Sequence, residues 1–194
     1  MGAFVGSLFF ITLAEMGDKT QLVALAFATR YRVKAVIGGI FAATLLIHLF
    51  SVYIGQFLGE FIPYTYIRIL AGASFIGFGI WTLRGDELDG EDKKKTRFGP
   101  FLTVAIAFFL AELGDKTQLA TISLAAQYSS SNASQFRTFI EVWLGSTFGM
   151  VIADGLAIII GRVMGKRLPE KIIKWVSAAI FISFGVITLL NGII

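Results

Sequence analysis

An eight-residue string that carries two carboxylates and a lysine occurs twice in this chain, each time inside an apolar segment. It reads EMGDKTQL at residues 15–22 and ELGDKTQL at residues 112–119, so one position differs, and that difference is conservative. Each charged residue at the centre of a membrane helix costs about 2.5–3.5 kcal/mol on insertion scales. Because the chain carries these costly charged residues twice, in the same pattern, we expect them to have a function. The pattern predicts a membrane-embedded cation site.

The spacing within the motif indicates how it would supply ligands. On a helix, Glu15 and Asp18 are three positions apart and share one face, and Gln21 adds an amide oxygen three positions further on. Gly17 permits either close approach of another helix or a local break that frees backbone carbonyl groups. The second motif repeats this spacing. The predicted metal ligands are therefore Glu15, Asp18, Gln21, Glu112, Asp115 and Gln118.

These residue types favour hard divalent cations. Several carboxylates with amide and hydroxyl oxygens suit Ca²⁺ and Mn²⁺, whereas the absence of cysteine and the single histidine exclude thiolate and polyhistidine metal sites. Clustered, poorly solvated carboxylates should bind protons when no cation is present. Cation entry would then expel protons and proton entry would expel the cation, which is the minimum requirement of cation/proton antiport. No cofactor is expected besides the transported Mn²⁺ or Ca²⁺ and H⁺.

Four further ionisable residues have two interpretations each. Lys19 and Lys116 either pair with carboxylates of the opposite motif as tethered cations, or neutralise a neighbour and cap a broken helix. His48 and Asp154 occupy corresponding positions in the two halves of the chain. They either act as a proton relay or accessory ligands, or form a buried, hydrogen-bonded pair that stabilises packing. The sequence leaves both questions open.

The elements that position the motifs follow from composition and hydropathy. The chain has 194 residues, of which 56% are hydrophobic and 15% are charged. This is the composition of a polytopic membrane protein, whose surface partner is the lipid bilayer and not nucleic acid. Apolar stretches near the length of about 20 residues that crosses a bilayer fall at six places: 3–29, 35–59, 64–83, 98–126, 138–161 and 172–193.

The repeat extends beyond the motif. The motifs are 97 residues apart, and later landmarks match at a shift of 106, as Gly39 and Gly145 do. Each half holds three predicted spans, an odd number, so the second half must be inverted relative to the first, as in many secondary transporters. The predicted fold is an all-α polytopic membrane protein with six transmembrane helices as two inverted three-helix repeats. Its parts are the first repeat at 1–83, a charged cytoplasmic linker at 84–97 and the second repeat at 98–194.

The distribution of lysine and arginine predicts the orientation. Thirteen of the 17 lie in the loops at 30–34, 84–97 and 162–174, which share one side of the membrane, whereas Arg68 and Arg137 lie on the other. Because basic loops remain in the cytoplasm, both termini are expected outside.

The duplicated Glu-x-Gly-Asp-Lys-Thr sequence, in a chain of two inverted three-span halves, resembles uncharacterised protein family 0016. This is the Gdt-type family of Ca²⁺/Mn²⁺:H⁺ antiporters of bacteria, chloroplasts and the Golgi. Both motif copies match fully, and the halves cover essentially the whole chain. The resemblance implies export of manganese or calcium from the cytoplasm, with Glu15, Asp18, Glu112 and Asp115 as the acidic cation-binding residues. The short termini resemble bacterial members, which implies the bacterial cytoplasmic membrane.

Other functions stay open at this point. A divalent-cation channel, or an exporter with another coupling ion, would use the same site. An intramembrane aspartyl protease also pairs aspartates in the membrane, but here a lysine follows each aspartate and the Gly-x-Gly-Asp pattern is absent. A structural or assembly subunit would use the charges to dock a partner. The choice between Mn²⁺ and Ca²⁺, the proton stoichiometry and the oligomeric state do not follow from the spacing.

Overall fold

The protein is all-helical throughout the part that the computed structural model describes, which is residues 2–84, 98–129, 134–163 and 170–193. This confirms the all-α part of the predicted fold class. The predicted linker at 84–97 lies outside these residues except at its first position. The helices in chain order are α1 (Gly2–Glu15), α2 (Lys19–Arg30), α3 (Val33–Phe61), α4 (Tyr64–Arg84), α5 (Pro100–Glu112), α6 (Lys116–Ser129), α7 (Gln135–Val163) and α8 (Glu170–Ile193).

The predicted spans at 3–29 and 98–126 are each broken into two helices at the motif. Gly17 and Gly114 have φ angles of 82° and 81°, a left-handed conformation that glycine adopts without steric penalty. Of the two roles open for Gly17, the structure therefore shows the helix break. The common helical face expected for Glu15 and Asp18 does not form, because a tight turn lies between them.

Among the described residues, two helices are long and apolar enough to cross a membrane, Val33–Phe61 and Gln135–Gly161. The glycine breaks explain why the first and fourth predicted spans appear only as shorter pieces. The inverted six-span arrangement stays a prediction. The shorter apolar helices are Gly2–Glu15, Thr65–Gly77, Pro100–Glu112 and Phe181–Leu190.

The long helices α3 and α7 pack closely against broken helices of the opposite half. A Cβ on Gly39 would lie 2.8 Å from the carbonyl oxygen of Phe101 in α5, and a Cβ on Gly145 would lie 2.5 Å from that of Phe4 in α1. The two phenylalanines occupy equivalent positions ahead of the two motifs. Glycine at these points lets the backbones approach closely. The long helix of each half therefore packs against the motif-bearing segment of the other half.

Buried polar residues lie between two apolar clusters along each long helix. His48 on α3 and Asp154 on α7 are both fully buried, and each is preceded in its helix by residues of one cluster and followed by residues of the other. Each motif likewise lies between two helices, one with residues of the first cluster and the other with residues of the second. The first cluster includes Phe10, Phe75, Leu124, Val142, Met150 and Phe181. The second includes Val36, Ile40, Val104, Phe108 and Ile158.

Candidate functional site

Three carboxylates from the two motifs converge in the polar layer. One oxygen from each of Glu15, Asp18 and Glu112 lies within 4.8 Å of the others, and all three residues are buried. Because Ca²⁺–oxygen distances are about 2.3–2.6 Å, oxygens on opposite sides of one ion are up to about 5 Å apart. The group therefore has the dimensions of a single divalent-cation site, and it needs both halves of the chain to form.

Two buried threonines orient the glutamates. The Thr20 hydroxyl donates to Oε1 of Glu15 and lies 3.1 Å from Oδ2 of Asp18, and the Thr117 hydroxyl donates to Oε2 of Glu112 at 2.9 Å. The other oxygen of each glutamate has no hydrogen-bond partner among the described residues. These buried oxygens are available to a cation or a proton. Sequence reasoning did not single out the threonines, although both motif copies repeat them.

The two motif glutamines hold the helix breaks in shape. The amide oxygen of Gln21 accepts a hydrogen bond from the Gly17 N–H at 2.8 Å, and its amide nitrogen donates to the Ala153 carbonyl oxygen in α7 at 3.1 Å. The amide oxygen of Gln118 accepts from the Gly114 N–H at 2.6 Å. These bonds satisfy backbone groups that a helix end leaves without a partner. Metal ligation by the glutamines stays a prediction.

We expect Gln21→Leu to destabilise the protein by about 1–3 kcal/mol, the usual effect of leaving a buried polar group without its partner. The substitution removes both the bond within the turn and the bond to α7. Gln118→Leu is the matched control, because it removes only the turn bond, at a more exposed position. Thermal unfolding of both variants in one detergent measures the difference. Equal losses would contradict the bridging role of Gln21.

Each motif lysine faces the aspartate of the opposite motif, as the first of the two interpretations predicts. The Lys116 ammonium contacts Oδ1 of Asp18, and 2% and 0% of the two side chains are exposed. The Lys19 ammonium lies 4.0 Å from Oδ1 of Asp115, and 31% of its side chain is exposed. Asp115 is absent from the three-carboxylate group. Two motifs of nearly identical sequence therefore have different surroundings in this conformation.

His48 and Asp154 are buried in the polar layer but do not form the hydrogen-bonded pair that was one interpretation. Thr121 lies 3.1 Å from Nδ1 of His48 and donates its hydroxyl hydrogen to the Thr117 carbonyl oxygen at 2.9 Å. In the tautomer that fits both contacts, Nδ1 of His48 donates to the Thr121 oxygen and Nε2 is an acceptor. Neither Nε2 nor the two Asp154 oxygens have a hydrogen-bond partner in the described part of the chain. A proton-relay or accessory-ligand role stays a prediction for both residues.

Comparison with known proteins gives one matching family and several relatives. The family model described as "Divalent cation/proton antiporter GDT1" matches residues 3–90 and 100–193. The chain is 36% identical over 189 residues to a Vibrio cholerae protein named "Putative manganese exporter". This alignment covers 97% of this chain and 90% of the relative. It is 31% identical over 211 residues to a GDT1-like protein of Synechocystis, covering 96% of each chain. It is 28% identical over 228 residues to GDT1-like protein 5 of Arabidopsis thaliana, covering 98% of this chain and 96% of the relative. No solved structure matches the chain.

Proposed function

We propose, from the premise that this chain belongs to the GDT1 family of divalent cation/proton antiporters, that it exports Mn²⁺ or Ca²⁺ from the cytoplasm in exchange for protons. The family is one of transporters, so the chain is not an enzyme and the protease alternative falls away. The proposed location is the bacterial cytoplasmic membrane, with both termini outside and the basic loops in the cytoplasm. A bacterial relative and the two long apolar helices support this location.

The observation that carries the proposal is the three-carboxylate group. It brings Glu15, Asp18 and Glu112 together with oxygens within 4.8 Å, and it offers only oxygen ligands, which hard divalent cations prefer. The name of the Vibrio cholerae relative supports manganese as the first cation to test. The acidic ligands proposed for the complete transport cycle are Glu15, Asp18, Glu112 and Asp115, with Asp115 joining when the site rearranges.

Alternating access is the mechanism proposed for the exchange. The buried carboxylates lie between two apolar clusters. This placement supports a mechanism in which one cluster closes the cytoplasmic side of the site and the other closes the outer side, each in a different state. Secondary transporters built from two repeats move in this way, with one part rocking or gating against the other. Cytoplasmic cation would displace protons from the carboxylates in the inward-facing state, and external protons would displace the cation in the outward-facing state. Exchange of about two protons for one divalent cation would balance charge, because metal binding requires deprotonated carboxylates.

Proteoliposomes that contain only this protein, with a pH-sensitive dye inside, test the proposal. Mn²⁺ and then Ca²⁺ are added outside under an imposed pH gradient, and cation entry should be accompanied by proton exit. Cation entry without proton movement would instead indicate a channel or another coupling ion. Absence of flux for both cations, with protein shown to be correctly inserted, would contradict the transport proposal and favour a docking role. The relative rates for Mn²⁺ and Ca²⁺ give the selectivity.

A further inference from the structure

We infer that Lys116 is a tethered competitor for the transported cation. Its ammonium is paired with the Asp18 carboxylate in the conformation described. The ammonium must leave Asp18 before a divalent cation binds there, and it returns when the cation departs. Lys19 forms the equivalent ion pair with Asp115 when the protein opens to the opposite side of the membrane. This inference rests on the proposed function, since it concerns how the same site is loaded and emptied.

The contact of Lys116 places it in competition with the cation. Its ammonium touches Asp18, one of the three carboxylates that would bind a divalent ion. A charged pair removed from water interacts far more strongly than one at a surface, and charge-assisted hydrogen bonds are among the strongest that side chains form. Lys116 is also the first residue of α6, where the helix dipole disfavours a positive charge. The contact with Asp18 therefore stabilises the ammonium at this buried position.

The difference between the two lysines indicates that the pairing changes with conformation. Both lysines occur in the same Gly-Asp-Lys-Thr-Gln-Leu sequence, yet one is buried in direct contact and the other is 31% exposed at 4.0 Å from its aspartate. Since the motif sequence is the same, the difference arises from the surroundings that the two halves provide in this conformation. Rearrangement of the halves would exchange the two environments. Asp115 would then join the cation-binding group and Lys116 would become the exposed lysine.

Removal of the Lys116 charge gives opposite results for a competitor and for a purely structural ion pair. We expect Lys116→Gln to bind Mn²⁺ more tightly, by roughly 5- to 150-fold, the range of typical coupling between two sites. Maximal exchange in proteoliposomes should fall at the same time, because without the returning ammonium only protons compete with the cation for Asp18 and its release becomes slower. A structural pair would lose stability without any gain in affinity. Calorimetric titration of the purified protein with Mn²⁺ and the exchange assay together measure both quantities.

Three further variants control for charge and position. Lys116→Arg keeps a tethered cation and should retain the Mn²⁺ affinity of the unchanged protein. Lys34→Gln removes one positive charge from an exposed position and should leave affinity unaltered. Lys19→Gln should shift affinity less than Lys116→Gln. Equal Mn²⁺ affinity in the unchanged protein and in Lys116→Gln would overturn the inference while leaving the proposed function in place. Failure of the unchanged protein to bind or exchange any divalent cation would overturn both.

The unchanged protein provides a second test if Lys116→Gln does not fold. Acetic anhydride should modify Lys19 readily and Lys116 poorly, with mass spectrometry as the measurement, because only Lys19 is partly exposed. Addition of Mn²⁺ should raise the modification of Lys116, since the cation displaces its ammonium from Asp18. Unaltered protection of Lys116 at saturating Mn²⁺ would overturn the inference.

Discussion

Asp18→Asn is expected to abolish cation exchange and to weaken Mn²⁺ binding by at least about 100-fold. Even a residue that only supports a metal ligand changes affinity by about 10- to 100-fold when it is replaced, and Asp18 is itself one of the three clustered carboxylates. Asparagine keeps the shape of the side chain but removes the charge that attracts both the cation and Lys116. Mn²⁺ titration and the proteoliposome assay measure the two losses.

A buried lysine without its carboxylate is strongly destabilising, so folding must be separated from ligand loss. The double variant Asp18→Asn with Lys116→Gln removes both charges of the pair, and it should unfold at a higher temperature than Asp18→Asn while remaining inactive. Asp115→Asn is the matched substitution in the other motif. It should also abolish exchange, because the cycle needs both motifs, but it should weaken equilibrium binding less, since Asp115 lies outside the clustered group in this conformation. Unreduced exchange in both single variants would refute the assigned site.

Three of the carboxylates that the sequence proposes as ligands lie together in the structure, but their arrangement differs from the predicted one. The duplication made Glu15, Asp18 and Glu112 candidates, and the structure brings them within a single ion's dimensions. The turn was only one of two options at Gly17, because a positive φ angle is a property of the folded backbone and glycine permits it without requiring it. Once the helix breaks, the spacing of three residues no longer places side chains on one face. The amide oxygen of Gln21 instead accepts a hydrogen bond from the Gly17 N–H in its own turn.

The difference between the two motifs lay beyond sequence reasoning altogether. Residues 17–22 and 114–119 are identical, so the motif sequence by itself cannot determine which lysine is buried. The structure does so because the two halves pack unequally around a common polar layer. A transporter with a repeated sequence needs such unequal packing in each end state if one side is to be closed while the other is open. The asymmetry is therefore expected of a single state in an exchange cycle.

Glu15→Gln and Glu112→Gln are expected to remove the coupling between cation and proton. A glutamine resembles a permanently protonated carboxyl group, so each variant should release about one proton fewer when Mn²⁺ binds. In the unchanged protein, Mn²⁺ affinity should rise with pH, by about tenfold per pH unit for each proton that the cation displaces. The slope of this dependence should fall in both variants, and exchange should stop because the remaining carboxylates cannot carry enough protons on the return step.

The hydrogen bonds of the two glutamates make the comparison specific. Each has one oxygen held by a motif threonine and one without a hydrogen-bond partner among the described residues, so the two substitutions should act alike even though Asp18 and Asp115 differ. Glu60→Gln is the control, because that carboxylate lies exposed near the end of α3, and proton release should be unaltered. Proton release in weakly buffered solution and Mn²⁺ titration at two pH values one unit apart provide the measurements. Mn²⁺ affinity in the unchanged protein that does not respond to the tenfold change in proton concentration would show that the carboxylates bind the cation without exchanging protons for it. Antiport would then need another proton-binding group in the same polar layer. Asp154, whose two oxygens have no hydrogen-bond partner among the described residues, would be the first to test.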